Sequence, residues 1–295
     1  MIRRRTFRLK LPSHTLVLGE RTLVMGVLNV TPDSFSDGGQ FLDPERAIEY
    51  ALAMEAAGAD LLDVGGESTR PGSSSTPAKQ QLARILPVLQ GLSGVLKIPI
   101  SIDTQKLEVA EAALHAGAEL INDISGLRTD RRLAELAARR RIPLILMHMR
   151  GEPRTMQKAG FARDVLRDVT AGLRKSVSIA LNAGLDKSQI VLDPGIGFGK
   201  SFAQNYELLE KLPQLGKLGY PLLVGTSRKG FLGATLARDG KPAPPEDLIW
   251  GTAATVTASI LGGAHIVRVH DVPEIVQVTR VADCLISPRL RRSLH

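Results

Sequence analysis

Three short segments carry side chains suited to anions and heterocycles. GTSRKGF, residues 225–231, sets a hydroxyl, a guanidinium and an ammonium in consecutive positions at Ser227, Arg228 and Lys229. RVHD, residues 268–271, alternates, so Arg268 and His270 share one face of a strand. Two cations on a buried face are costly unless an anion such as a diphosphate meets them, and the plainer reading is a salt-bridged core pair. LDPGIGFGK, residues 192–200, puts Asp193 before a glycine-rich turn that lacks the Walker spacing. Asp193 suits either the cap of a tight turn or a bidentate acceptor for the N–H groups of an amino-pyrimidine-like ring. Asn29, Asp33 and Asp37 lie on or beside TPDSFSDGG, residues 31–39. They read as turn residues or as oxygen ligands for Mg2+ that leave room for water and phosphate. His148, alone between two methionines, reads as a packing residue. No Cys/His cluster suits zinc, and neither a Gly-x-Ser-x-Gly elbow nor a Cys–His pair is present for acyl chemistry.

These residues need a frame that brings them together. Eight β-rich apolar runs each stop at a polar residue. They are TLVMGVLNV at Asn29, LLDVGG leading to Thr69 and Arg70, PISID at Asp103 and LIND at Asn122, then LILMH at His148, IVLD at Asp193, LLVGTS at Ser227, and IVRVH at Arg268 and His270. A stretch long enough for one amphipathic helix separates each pair. Runs that are apolar on both faces read as parallel strands, and eight strand–helix alternations predict an α/β fold, a (β/α)8 TIM barrel. The polar strand ends then converge on one mouth. Residues 1–20 alternate as a β-hairpin expected to close the bottom of the barrel. Segments 31–39 and 67–75, rich in Pro, Gly, Ser and Asp, read as mobile active-site loops. Asp43–Pro44 should cap a helix ending at Gly58, with Gly117 and Gly184 as further C-caps. No linker divides the chain, so residues 1–295 read as one domain.

The chain has 295 residues and a formal net charge of +8, which favours anionic partners. Arg3, Arg4 and Arg5 at one end and Arg289, Arg291 and Arg292 at the other read as solvated tails. With few aromatics and no continuous basic stripe, a nucleic-acid partner is not expected. Cys284 is the only cysteine, so an intrachain disulfide is impossible. The N-terminus lacks an apolar signal region, and no apolar run approaches the ~20 residues that span a bilayer. No membrane association is expected, and the cytoplasm is the expected location.

In order along the chain, MGVLNVTPDSFSDGG, DVGGESTRPG, SIDT, NDISG, LMHMRG, LDPGIGFGK, GTSRKGF and VRVHD resemble the dihydropteroate synthases over residues 22–285. The resemblance implies condensation of 6-hydroxymethyl-7,8-dihydropterin diphosphate with p-aminobenzoate in folate synthesis, with Mg2+ as cofactor and a homodimer as the assembly. It implies a pterin-holding set of Asp103, Asn122, Asp193 and Lys229. The diphosphate would meet Asn29, Thr69, Arg70, Arg268 and His270, with Mg2+ on Asn29 and Asp33. The p-aminobenzoate would meet Phe35, Arg70, Pro71 and Ser227. Of these, Asp103, Lys229, Arg268 and His270 would carry catalysis. Apolar residues of the last two helices, among them Ile249, Trp250, Val256, Ile260, Ile275, Val278 and Val281, exceed what a barrel covers and are expected at the dimer interface. Two alternatives share the pattern: a pterin-dependent, corrinoid-linked methyltransferase and a catalytically silent pterin-binding paralogue. Where the family often has consecutive acidic residues after the second loop, this chain has AKQQL, residues 78–82.

Overall fold

A computed structural model describes residues 4–31, 43–68, 73, 75–151 and 160–292. The calls at Asp33, Phe35, Asp37, Thr69, Arg70 and Pro71 lie outside the described residues. At the start of the chain, β1 (Phe7–Lys10) and β2 (Thr15–Leu18) pair antiparallel, with Phe7 opposite Leu18. Eight strands follow: β3 (Leu23–Asn29), β4 (Leu61–Gly65), β5 (Ile100–Asp103), β6 (Leu120–Asp123), β7 (Leu144–Met147), β8 (Ile190–Asp193), β9 (Leu223–Val224) and β10 (Ile266–Val269). They are all parallel, in the order β8-β7-β6-β5-β4-β3-β10-β9. A parallel bridge between Leu192 and Leu222 joins the two ends, so the sheet closes into the expected barrel.

The helices between strands are α1 (Pro44–Ala56), α2 (Ala78–Leu92), α3 (Leu107–His115), α4 (Arg132–Arg140) and α5 (Val165–Asn182). Next come α6 (Phe202–Glu210) with the short α7 (Leu212–Gly216), α8 (Gly230–Thr235) with α9 (Ile249–Leu261), and α10 (Val272–Ile286) with α11 (Pro288–Arg292). Their boundaries follow from local chemistry. Asp43 accepts from the amides of Glu45 and Arg46, and Pro44 fills the first helical position, where its missing N–H costs nothing. Helix α1 then buries Ala47, Ala51 and Met54, the i, i+4, i+7 stripe of one helical face.

The pleat sorts the strand residues into two cores. Outward residues such as Val24, Leu62, Ile102, Ile121, Leu146, Leu192 and Val267 meet the helices. Inward residues Leu23, Met25, Leu61, Leu120, Ile145, Val191, Leu223 and Ile266 form an apolar floor, joined by Leu9, Leu11 and Leu18 of the hairpin. The hairpin therefore plugs the N-terminal end of the barrel. Two residues farther along the same inward faces, the character changes. Asp63, Asn122, Asp193 and Arg268 now point into the barrel, and Gly225 on that level leaves them room.

Two expectations change. Arg4 is not a solvated tail: its guanidinium pairs with Asp283 of α10 at 2.5 Å and donates to Thr22 Oγ1 and the Ala264 carbonyl. Asp283 is buried and also accepts from the Thr22 amide, so a cation is needed there to balance it. On the last long helices, Val256, Ile260 and Ile275 are buried against the barrel and are not free for an interface, whereas Trp250 is 80% exposed and Val281 66%. Among the described residues, no helix is long and apolar enough to cross a membrane.

Candidate active site

The centre of the barrel mouth is a charged knot. Arg268, on β10, donates from Nε to Asp63 Oδ2 at 2.6 Å and from Nη2 to Asp103 Oδ2 at 2.9 Å. Asn122 Nδ2 donates to the same Asp63 oxygen at 2.9 Å. The strand register makes this reach possible. Gly65 stands between Asn29 and Asp103 on adjoining strands, and a Cβ there would sit 3.4 Å from the Asp103 Cβ. Asp103, Asn122, Asp193, Ser227, Lys229, Arg268 and His270 line one recess, with Ile124, Met147 and Phe198 as apolar walls.

Burial sets the charge of each group. Asp103 is pushed up to about 7, first by loss of water and then by the like charges of Asp63 and Glu67, against the pull of Arg268. Burial raises Asp193 to about 6, although it accepts the Gly195 amide at 2.7 Å and faces Lys229. The Lys229 ammonium falls to about 8 through burial and the nearby Arg268, and stands 4.0 Å over the Phe198 ring. His270 falls to about 3 through burial and the cations of Arg268, Arg228 and Lys229, so it is neutral at physiological pH. The Ser227 hydroxyl accepts the His270 amide at 3.2 Å and lies 3.0 Å from its Nδ1. Where the Ser227 hydroxyl donates to Nδ1, the ring proton sits on Nε2, which is then the donor.

The sequence-predicted residues thus divide. Asp103, Asn122, Asp193, Ser227, Lys229, Arg268 and His270 come together, and Asn29 ends the strand beside them, half-buried. Arg268 and His270 do not form the pair of cations that required an anion. Arg268 is balanced by Asp63 and Asp103, and His270 is uncharged. Asp63 was not singled out from the sequence, although a lone carboxylate inside an apolar strand signals a buried partner. Oδ1 of Asp63 and Oδ1 of Asn122 are buried and make no hydrogen bond among the described residues. They are acceptors suited to ring N–H groups.

At the base of the second loop, Glu67 accepts the Thr76 amide at 2.7 Å and the Gln81 side chain at 2.9 Å. Gln81, from the unusual AKQQL start of α2, is fully buried and also donates to the Thr76 carbonyl. His148 packs against Gly172, where an added Cβ would come within 2.4 Å of its ring, in keeping with a packing residue. Among the described residues, no three His, Cys, Asp or Glu side chains gather to hold a metal.

The pterin-binding enzyme family matches residues 25–270. A dihydropteroate synthase of Synechocystis sp. is 48% identical over 90% of this chain and 91% of its own. A structure of Xanthomonas albilineans dihydropteroate synthase with 4-aminobenzoic acid superposes with a TM-score of 0.87 at 41% identity, covering 95% of this chain and 98% of that one. The same enzyme in complex with 7,8-dihydropteroate gives 0.84 at 39% identity, over 94% and 98%. With a barrel whose mouth gathers the residues set out above, this chain belongs to the dihydropteroate synthases of the pterin-binding enzyme family.

Proposed function

We propose that the chain joins 6-hydroxymethyl-7,8-dihydropterin diphosphate to p-aminobenzoate, giving 7,8-dihydropteroate and pyrophosphate by a dissociative route. One observation carries the reading. Within one recess, buried carboxylates and an amide with free acceptor atoms adjoin Arg268, Lys229 and a neutral histidine. The carboxylates, the amide and Lys229 suit the polar edge of a pterin, and Arg268 with the histidine suits its diphosphate. The likeness to a synthase solved with 7,8-dihydropteroate supports the same assignment.

In this reading Asp193, Asn122, Asp103 and Lys229 hold the pterin between Met147 and Phe198. The methylene C–O bond breaks with both electrons going to the diphosphate. Arg268 and the Nε2–H of His270 donate to the departing oxygens, together with Thr69 and Arg70 from the second loop. Asp103, as a carboxylate, stabilises the pterin methylene cation left behind. The aniline nitrogen of p-aminobenzoate, held by Phe35, Pro71, Arg70 and Ser227, forms the C–N bond and passes its extra proton to pyrophosphate. Because the amine is a modest nucleophile, a strong electrophile matters more than a base. Asn29 offers a hard amide oxygen beside Asp103, which suits Mg2+ with Asp33, water and diphosphate oxygens as the other ligands. The ion would neutralise charge on the diphosphate. Loops 31–39 and 67–75 shield the cation from water.

Trp250 on α9 and Val281 on α10 support a homodimer through that face, since large apolar side chains this exposed favour a second surface.

A pyrophosphate-release assay should show turnover that requires both substrates. Release as fast without p-aminobenzoate as with it, or none with it, contradicts the reading. Asp103→Asn should cut kcat at least tenfold while the protein still gives a cooperative thermal melt, and near-normal turnover would remove its role. A second expectation concerns pH. The acid limb of kcat/KM comes from protonation of Asp103 and Asp193, with values of about 7 and about 6. The alkaline limb comes from loss of the Lys229 proton at about 8. The profile should peak between them, and a flat profile from pH 6 to 9 contradicts this assignment. Sedimentation velocity should give a two-chain species that Val281→Asp converts to one chain. A wild-type monomer at micromolar concentration would exclude the interface.

A further inference from the structure

Lys200 ends the LDPGIGFGK segment, and the mechanism above gives it no part. Its side chain is buried. The ammonium donates to the carbonyls of Gly195 at 2.8 Å, Phe198 at 3.0 Å and His148 at 3.1 Å, with His148 Nδ1 at 3.2 Å. These acceptors come from two separate loops, one after β7 and one after β8. The loops pack backbone to backbone. Gly195 has φ +67°, and a Cβ there would stand 1.9 Å from the His148 carbonyl oxygen, so only glycine fits. Lys200 sits on that seam and spends its three protons on it.

The opposite side of the same seam is the recess wall. Met147, Asp193, Gly195, Ile196 and Phe198 all line it, whereas Lys200 does not. Phe198 is held at both ends: its carbonyl rests on Lys200, and its ring lies under the Lys229 ammonium. The seam is also tied to α5. His148 Nε2 lies 3.6 Å from Asp168, and Arg150 pairs with the same carboxylate at 3.1 Å. A buried ammonium is expensive unless something requires it. An apolar side chain would fill the space but could not gather three carbonyls.

We propose that Lys200 is a positioning residue for the pterin, holding the ends of β7 and β8 together from beneath so that Asp193 and the Phe198 ring are set before the substrate arrives. This rests on the pterin site proposed above. Among the described residues, Lys200 makes no hydrogen bond to a residue assigned to the diphosphate or to p-aminobenzoate, so its effect is expected on the pterin.

The test is Lys200→Met, read by steady-state kinetics and by calorimetric binding of 6-hydroxymethyl-7,8-dihydropterin, which carries no diphosphate. KM for the pterin diphosphate should rise at least tenfold, and binding of the free pterin should weaken by a similar factor. The kcat and the KM for p-aminobenzoate should stay within threefold. Lys200→Gln, which keeps two donors on a shorter arm, should fall between wild type and Lys200→Met. Unchanged pterin affinity overturns the proposal. So does a loss spread evenly over kcat and both KM values, or the failure of both variants to give a cooperative melt, since either makes the lysine structural. If the wild-type protein binds the free pterin but releases no pyrophosphate, the proposed reaction falls while the binding comparison still decides the role of Lys200.

Discussion

Arg268 bridging Asp63 and Asp103 is the constraint on which the rest of the mouth depends. A guanidinium and two carboxylates are held inside a barrel whose floor is Leu, Ile, Val and Met. None of the three is stable there alone. Removing one partner of such a buried pair leaves an uncompensated charge and typically costs about 3–5 kcal/mol. The geometry that permits the bridge comes from residues that do nothing chemical. Gly65 and Gly225 clear space on the neighbouring strands, and the hairpin closes the far end so that the charged layer has one open side. Burial, with the like charge of Asp63 beside it, leaves Asp103 easy to protonate, near 7, against the pull of Arg268. A carboxylate with spare negative charge, facing a recess, is primed for a developing cation.

From that knot the other groups take their states. His270, two residues from Arg268, is driven neutral by burial and by the cations around it, and its Nδ1 lies 3.0 Å from the Ser227 hydroxyl. Lys229 keeps its proton only weakly and leans on the Phe198 ring. Asp193 is held by the Gly195 amide at the start of the turn that Lys200 gathers. Strand ends therefore supply the reactive groups, and the turns behind them supply their aim. The proposed role of Lys200 rests on this separation, since Lys200 lines no part of the recess.

Much of this was legible in the sequence because the signals were periodic. Apolar runs ending in polar residues gave eight strands, and the alternation of residues 268–271 gave Arg268 and His270 a common inward face. The same rule, applied two residues before a strand end, would have found Asp63, which shares the face of Gly65; attention to the last residue alone passes over it. Charge state was not legible. Whether a histidine beside an arginine is cationic depends on burial and on cations such as Arg228 and Lys229 that the fold brings in from another strand end. Coverage was equally hidden. Val256 and Ile260 have the same helical spacing as an interface, but only the packed helix shows that the barrel already covers them. Arg4 likewise resembled a basic tail until Asp283 was seen beside it.

The central claim is that this charged layer ionises the pterin diphosphate before the amine attacks. Positional isotope exchange tests it directly. The substrate carries oxygen-18 in the bridge between the methylene and the phosphorus, and is incubated with the protein and Mg2+ but without p-aminobenzoate. Reversible C–O cleavage lets the diphosphate turn before it recombines, so recovered substrate should carry the label scrambled into non-bridging positions. Label that stays in the bridge, in protein that turns over normally once p-aminobenzoate is added, would contradict the account.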